Sequence, residues 1–151
     1  KIPSFLTKIK KFCFIDCRNL KIVEVPNNSK LQKIGKKAFK CTAIKKFTIP
    51  SHLTKIGDYA FSECSFLKTI EIQANSELQI IGKEAFSFTF IESFSIPLNV
   101  TQVGESAFYS CKNLHIIEFN ENSSMSSIDQ TIFTGCKKKV LIMISSNLSI
   151  I

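Results

Sequence analysis

Several residue types and sequence features are scarce or missing in this chain, and their absence excludes some classes of protein and segment. Its 151 residues include no tryptophan, two tyrosines, five glycines and a single arginine, Arg18. The longest unbroken apolar run, Val140–Ile144, is far too short to cross a bilayer. Lysines at positions 8, 10 and 11 interrupt the first twenty residues, so no apolar segment of a signal peptide is expected there. The sequence does not begin with methionine, and we expect it to be a piece of a longer protein.

The usual combinations of catalytic and metal-binding residues are also missing. The two histidines, His52 and His115, lie far apart and no Cys-x-x-Cys pair occurs, which argues against a zinc site. No cysteine or serine has a histidine partner at a matching repeat position, so nucleophilic catalysis is not indicated. Each glycine stands alone, which excludes a glycine-rich phosphate loop. The sequence therefore predicts a protein without enzymatic activity, with no catalytic residue, cofactor or metal.

Positive charge is concentrated at one end of the sequence. Residues 1–56 carry 13 lysines and Arg18 against two acids, a balance of +12, whereas residues 57–136 carry three lysines against ten acids, a balance of −7. Three lysines at 137–139 restore the total of +8. A solvated lysine surface explains the excess, and a basic patch for a heparin-like polyanion is the alternative, formed by Lys33, Lys36, Lys37, Lys45 and Lys46. No specific nucleic-acid site is expected, because arginine is the usual bidentate reader of phosphates and bases.

The dominant feature of the sequence is an internal repeat. Phenylalanines recur at intervals that alternate between 25 and 22 residues, at positions 14, 39, 61, 86, 108 and 133. The full period is therefore a double unit of 47 residues. Four of these phenylalanines follow an alanine and lie four residues after a glycine, namely Gly35, Gly57, Gly82 and Gly104. Three cysteines also keep the 47-residue period: Cys17, Cys64 and Cys111.

Each unit predicts one short strand followed by a return. Segments such as Ile44-x-x-Phe47-x-Ile49 end in alternating β-branched or aromatic residues, which is typical of a strand with one buried face. The segment Gly-x-x-Ala-Phe-x-x-Cys predicts a short helix or 3-10 turn, because glycine and aspartate are acceptable N-caps. A single unit cannot bury its apolar residues, but stacked units can, with the phenylalanines in a column.

These features predict an α/β fold, a right-handed solenoid of about six rungs of alternately 22 and 25 residues. Short parallel strands would form one face, and short helical or 3-10 turns the other. We expect a single domain over 1–151. Its units lie near 2–20, 20–44, 44–67, 67–91, 91–114 and 114–139, with a partial unit at 139–151.

The repeat resembles that of the BspA-type leucine-rich repeats, also called Treponema-type, which occur in bacterial and protist surface proteins. The best match is IKKFTIPSHLTKIGDYAFSECSFL, residues 44–67. The resemblance covers nearly the whole chain and implies a leucine-rich-repeat solenoid. It also implies surface exposure and adhesion to a host or neighbouring cell. The family is defined by its scaffold, so no ligand-binding residue is implied.

The outward side chains of the predicted strands form the candidate protein-binding surface, because solenoids use extended sheet faces for recognition. One row comprises Ile22, Lys46, Thr69, Ser93 and Ile116, continued by Leu141. A second comprises Glu24, Thr48, Glu71, Ser95 and Glu118, continued by Met143. The alternation of glutamate with small hydroxyl residues serves solubility as well as it would serve a ligand.

Two other residue types bear on the cellular location. Possible glycosylation sites are the sequons at Asn27, Asn99, Asn122 and Asn147. The six cysteines are expected to be mainly buried free thiols, although a bridge between neighbouring rungs remains possible. The leading hypothesis is a non-catalytic adhesion or recognition module of a cell-surface protein, with a protein ligand and no membrane insertion. The alternatives are a cytoplasmic leucine-rich-repeat scaffold and, third, a polyanion-binding protein.

Overall fold

A computed structural model describes residues 1–119, 123, 125, 127–136 and 140–143, together with the backbone of 149–150. These residues form a parallel β-solenoid of about six turns with almost no helix. In this part of the chain twelve strands follow one another: β1 (Lys8–Ile9), β2 (Lys33–Ile34), β3 (Lys46–Ile49), β4 (Lys55–Ile56), β5 (Thr69–Ile72), β6 (Ile80–Ile81), β7 (Ser93–Ile96), β8 (Gln102–Val103), β9 (Ile116–Phe119), β10 (Ser127–Ile128), β11 (Leu141–Met143) and β12 (Ser149–Ile150).

Strands of two residues form a sheet that the sequence analysis does not anticipate. Its order is β1-β2-β4-β6-β8, with every pair parallel and in register. In each strand the second residue, such as Ile34 or Ile56, turns into the core, and the first lies outside. We call this the short-strand sheet. Strands β10 and β12 pair in the same way beyond it.

Longer strands lie on another side of each rung, where the sequence predicts them. Strands β3 and β5 pair in parallel, and β7, β9 and β11 form a second parallel group. Within the described residues, no strand pairing joins β5 to β7. We call the outward side of β3, β5, β7, β9 and β11 the long-strand face. Residues 20–25, expected to form the first strand, are not in a strand.

A column of phenylalanines fills the core, as the 25 and 22 spacing predicts. Rings on successive rungs stack nearly parallel from Phe14 to Phe108, with centroids 5.2–5.5 Å apart, and Phe133 follows at 6.3 Å. Phe47 leans against two rings of the column, and Phe94 does the same 47 residues later. The corresponding positions of the rungs between hold Ile70 and Ile117. This alternation of aromatic and aliphatic side chains accounts for the 47-residue period of the double unit.

The two turn lengths also have a local cause. In the longer turns the serine of the Asn-Ser insert accepts a hydrogen bond from the backbone N–H two residues later. Ser29, Ser76 and Ser123 accept in this way, at 3.2–3.3 Å. The same hydroxyl role therefore recurs every 47 residues, as expected for short serine-centred turns.

The return segments differ from the predicted helical turns. In the described residues a 3-10 helix forms only at Gln130–Phe133, where the Asp129 side chain accepts a hydrogen bond from the Thr131 backbone N–H. In the five preceding rungs, the residues two before and two after the column phenylalanine have positive φ, as Tyr59 and Glu63 do around Phe61. Each left-handed residue interrupts helical progression. Alternate backbone N–H groups then bond to the next rung, as from Phe61 to Ala85, instead of closing a helix.

The glycines before the column phenylalanines allow close contact between rungs. A Cβ atom placed on Gly82 would lie 2.6 Å from the Asp58 backbone nitrogen and 2.7 Å from the Gly57 carbonyl carbon. Gly35, Gly57 and Gly104 are equally confined against the rung before them. Lys10 occupies this position in the first rung, where no described rung lies in front of it. The glycine is therefore required by packing between rungs, and the sequence-based interpretation as an N-cap applies only to the aspartate of the sixth rung.

Candidate functional site

The long-strand face brings most of the predicted protein-binding residues together. Lys46 aligns with Thr69 in one group of strands, and Ser93 with Ile116 and Leu141 in the other. All of these side chains are exposed except Ile116, which is half-buried. Ile22 occupies the first position of this row outside any strand and is 74% exposed. The row therefore begins with an uncovered aliphatic side chain and ends at Leu141 with another.

The second row is tied together by hydrogen bonds between its hydroxyl and carboxylate groups. Thr48 donates to a Glu71 carboxylate oxygen at 3.4 Å, and Ser95 donates to Glu118 at 2.6 Å. Glu71 also forms an ion pair with Lys46, at 2.6 Å between the ammonium nitrogen and a carboxylate oxygen. Glutamates never face each other on adjacent rungs, which avoids like-charge repulsion across the sheet. Glu24 is exposed at the start of this row, and its backbone carbonyl accepts from the Ile2 N–H.

An open groove of about 640 Å³ lies at the end of the long strands, beside the interruption between β5 and β7. Its lining includes Ser76, Ser95, Leu98, Asn99 and Glu118. The Asn99 side-chain amide crosses it and donates to the Ser76 carbonyl oxygen at 2.8 Å. The groove thus adds mixed polar and apolar surface to the long-strand face.

The predicted glycosylation sites fall into two groups. Asn27 and Asn99 are both exposed, and Asn99 is engaged in the hydrogen bond just described. Asn122 and Asn147 lie outside the described residues. All four stay predictions. The three lysines at 137–139 also lie outside the described residues.

The candidate basic patch is divided between two sides of the solenoid. Lys33 and Lys36 line an open groove of about 610 Å³ on the short-strand sheet, together with Lys8, Lys10, Lys11 and Lys55. Lys45 and Lys46 border a different depression, next to residues 21–25. Lys37 places its ammonium over the Tyr59 ring at 5.5 Å. Sequence reasoning missed Lys8 and Lys55, although both precede the core isoleucine of their rung, as Lys33 does.

The cysteines occupy structural positions that differ in exposure. Cys64 and Cys111 are buried, and each thiol donates to the carbonyl of the column phenylalanine one rung earlier, at 3.0 and 3.1 Å. Burial raises the pKa of Cys64 to about 11. Thr89 holds the equivalent position in the fourth rung and contacts the Cys111 sulfur at 3.3 Å. Cys17, expected to be buried, is exposed because its rung is the first and no described rung covers it.

A polar cluster around Cys41 joins three titratable side chains. Lys40 and Glu63 form an ion pair at 2.7 Å, and the Cys41 thiol donates to the other Glu63 oxygen at 3.4 Å. The hydrogen bond from Lys40 lowers the pKa of Glu63. Burial, assisted by the Glu63 hydrogen bond, raises the pKa of Cys41 to about 11. Such a thiol is a poor nucleophile near neutral pH.

The described residues contain no group of three or more histidine, cysteine, aspartate or glutamate side chains arranged to hold a metal ion. His52 contacts Glu77 at 3.0 Å in an exposed turn, and His115 contacts the Asn113 carbonyl oxygen at 3.0 Å. No helix in the described part of the chain has the length and apolar character of a membrane span.

Comparison with known proteins agrees with this geometry. The family described as the BspA type leucine rich repeat region matches residues 1–115 and 79–151, in six copies, which confirms the resemblance in the repeat. No curated protein gives a significant sequence match. Several solved structures share the fold, among them the following three. A T. pallidum leucine-rich repeat protein has 24% identity and a TM-score of 0.83, over 99% of this chain and 71% of that one.

The other two solved structures are surface or vaccine proteins by description. The pneumococcal vaccine antigen PcpA has 19% identity and a TM-score of 0.69, over 99% of this chain. A leucine-rich cell surface protein of Faecalibacterium prausnitzii A2-165 has 21% identity and a TM-score of 0.62, over 96% of this chain. The chain spans 64% of the length of the first and 54% of the second. At these identities the similarity establishes the fold.

Proposed function

Because the chain belongs to the BspA-type leucine-rich repeat family, we propose that it is a non-catalytic recognition module of a cell-surface protein. In this proposal it binds a protein ligand on a host or neighbouring cell through the long-strand face. The observation that carries the proposal is the regular, exposed array of side chains on β3, β5, β7, β9 and β11. Protein-recognition solenoids use extended surfaces of this kind.

The composition of the face supports a protein ligand. It combines exposed aliphatic residues, Ile22, Leu141 and Met143, with carboxylates and hydroxyls that are already held in place by hydrogen bonds. Preorganised polar groups lose little conformational freedom on binding. Aliphatic side chains next to them supply apolar area, as in the mixed cores and rims of protein interfaces.

Surface location is the second part of the proposal, and two structural relatives described as a vaccine antigen and a cell surface protein support it. Labelling intact cells with a membrane-impermeant amine reagent tests it directly, because the chain carries exposed lysines throughout its first 56 residues. We expect the full-length protein to be labelled without cell lysis. Labelling only after lysis would instead support a cytoplasmic scaffold, the alternative that the exposed thiols Cys13 and Cys17 favour.

A charge-reversal comparison tests the binding face. Beads coated with the chain are scored for adherence to cells, using Glu71→Lys combined with Glu118→Lys. The matched control reverses Glu77 and Glu105, two exposed carboxylates that contact His52 and Lys83 and lie off the long-strand face. We expect the first variant to reduce adherence at least tenfold and the control to leave it within twofold. Equal adherence of the two variants would exclude this face.

A further inference from the structure

Three lysines from three successive rungs stand side by side on the short-strand sheet. Lys8 aligns with Lys33, and Lys33 with Lys55, in the register of the parallel pairs. All three are exposed, because their isoleucine neighbours turn inward. Adjacent strands lie about 4.8 Å apart, so the backbones of the three lysines span about 10 Å. Further along the sheet the row continues as Ile80 and Gln102, and its charge ends there.

Neighbouring lysines turn this row into a groove. Lys10, Lys11 and Lys36 line the same open depression of about 610 Å³, which we call the lysine groove. Its one acidic lining residue is Asp58, whose Oδ1 accepts from the Lys83 backbone N–H at 3.2 Å. Six positive side chains therefore surround a concave surface with a single carboxylate.

The lysine groove is not neutralised by ion pairs. Lys40, Lys46 and Lys83 elsewhere in the chain each contact a glutamate at 2.6–2.7 Å. Among the ion pairs of the described residues, none includes a lysine of the groove. Like charges directly opposite each other on adjacent strands are destabilising. A negatively charged ligand in the groove would relieve this repulsion.

We propose that the lysine groove binds a linear sulfated polysaccharide. A chain with sulfate groups repeated along its length can lie across the three rungs and contact one ammonium after another. Lysine can follow such a ligand, because its ammonium is a point charge on a flexible four-carbon stem. This interaction is separate from the long-strand face, although the choice of an extracellular glycan depends on the proposed surface location.

A nucleic acid fits the lysine groove less well. Single-stranded nucleic acids bind by stacking their bases on free aromatic rings. The aromatic rings beside the groove, Phe12 and Tyr59, are approached by lysine ammonium groups at 5.5–6.0 Å from the ring centroids. Arg18 lies elsewhere and pairs with Asp16 at 3.6 Å. The groove thus offers charge without a stacking platform.

The test measures binding of a heparin hexasaccharide to the purified 151-residue chain by calorimetry. The groove variant changes Lys8, Lys33 and Lys55 to glutamine. The matched control changes Lys21, Lys45 and Lys68 to glutamine. These three exposed lysines also come from successive rungs and carry the same total charge, but they lie outside the groove. If each lost contact removes about 0.7 from the slope of log K against log salt, three contacts change K roughly 50-fold at 150 mM salt.

We expect the groove variant to bind about 50-fold more weakly and to flatten the salt slope by about 2. The control should stay within threefold of the original chain. The melting temperature of the groove variant at low salt should be equal or higher, because repulsion within the row is removed; this measurement also verifies folding. Desulfated heparin should not bind.

Three outcomes would overturn the proposal. Equal loss of binding in the groove and control variants would mean diffuse attraction to net charge. Equal binding of desulfated heparin would exclude sulfate recognition. Tighter binding of a single-stranded oligothymidine of matched charge would make the groove a nucleic-acid site. The adherence of the Glu71 and Glu118 double variant is measured separately. Failure of the glycan proposal therefore leaves the proposed binding function of the long-strand face untouched.

Discussion

Replacing Gly82 by serine distinguishes the two physical roles that glycine can have at its repeat position. If Gly82 capped a helix, serine would be an equal or better cap, and stability would change by a few tenths of a kcal/mol at most. In the structure the added Cβ would instead lie 2.6 Å from the Asp58 backbone nitrogen, where ordinary contact begins at 3.4 Å. Relief requires the two rungs to separate locally by about 0.8 Å, the difference between those distances.

The cost of this separation can be worked out from the bonds that cross the same boundary. The Tyr59 N–H donates to the Lys83 carbonyl oxygen at 2.8 Å, and the Phe61 N–H donates to Ala85 at the same distance. Lengthening either by about 0.8 Å takes it beyond useful hydrogen-bond geometry. Two or three such bonds at about 1 kcal/mol each, with lost contact between stacked rings, give about 2–4 kcal/mol.

Urea unfolding followed by circular dichroism provides the assay, since the chain has no tryptophan for fluorescence. With a slope near 2 kcal/mol/M, Gly82→Ser should lower the unfolding midpoint by about 1–2 M. Lys10→Ser is the matched control at the same repeat position of the first rung, and it should change stability by less than about 0.5 kcal/mol. Equal midpoints for the two variants would refute the argument from close contact between rungs.

Three further predictions concern the core, the thiols and acid stability. Phe61→Ala should lower the free energy of unfolding by about 3–5 kcal/mol, because it leaves a cavity between two stacked rings; urea unfolding measures this, and a cost below about 1 kcal/mol would contradict the column. Cys13 should react with an aromatic disulfide reagent at pH 8 within minutes, whereas Cys64, buried with a pKa of about 11, should react only in denaturant. The hydrogen bond from Lys40 lowers the pKa of Glu63, so its stabilisation is present above the ordinary pKa of 4.5 and is lost as pH falls through the lowered value. Glu63→Gln should remove this part of the pH dependence of stability, which melting curves at several pH values would detect. Because the pair is solvent-exposed, we expect the free energy of unfolding to change by no more than about 1 kcal/mol.

The repeat spacing predicts contacts between side chains that occupy the same position in successive rungs. The column of phenylalanines and the alignment of Thr48 with Glu71 follow from counting residues alone. Both depend on residues that occupy equal positions of a stacked unit, and such positions must become neighbours. The family assignment rests on the same pattern and is confirmed.

The return segments could not be predicted in the same way, because their conformation is decided between rungs. A glycine four residues before a phenylalanine is compatible with a helix start in any single unit. Only the distance to the preceding rung shows that no Cβ fits at Gly82. Positive φ at side-chain-bearing residues such as Tyr59 and Glu63 likewise depends on hydrogen bonds to the next rung.

The lysine groove shows a different limit of sequence reasoning. Pairs of adjacent lysines suggest a basic patch in a sequence, and on this basis Lys45 and Lys46 are predicted to belong to one. In a strand, adjacent residues point to opposite sides, whereas residues one rung apart stand side by side. The useful signal was the lysine before each core isoleucine, which recurs after 25 and 22 residues at Lys8, Lys33 and Lys55.

The interruption between β5 and β7 gives the array a mechanical asymmetry. Strands β5 and β6 lie in one rung and β7 and β8 in the next, so the short-strand side of this boundary keeps the β6–β8 pairing. On the long-strand side the described residues form no strand pairing there, and the Phe90 and Glu92 N–H groups bond to the Leu67 and Lys68 carbonyl oxygens just before the strands. A pulling force applied to the two ends should therefore lengthen the long-strand side of the boundary before the short-strand side. Glu71 and Ser95 lie on the two sides of this boundary, so tension on the protein would change the spacing that a bound ligand meets.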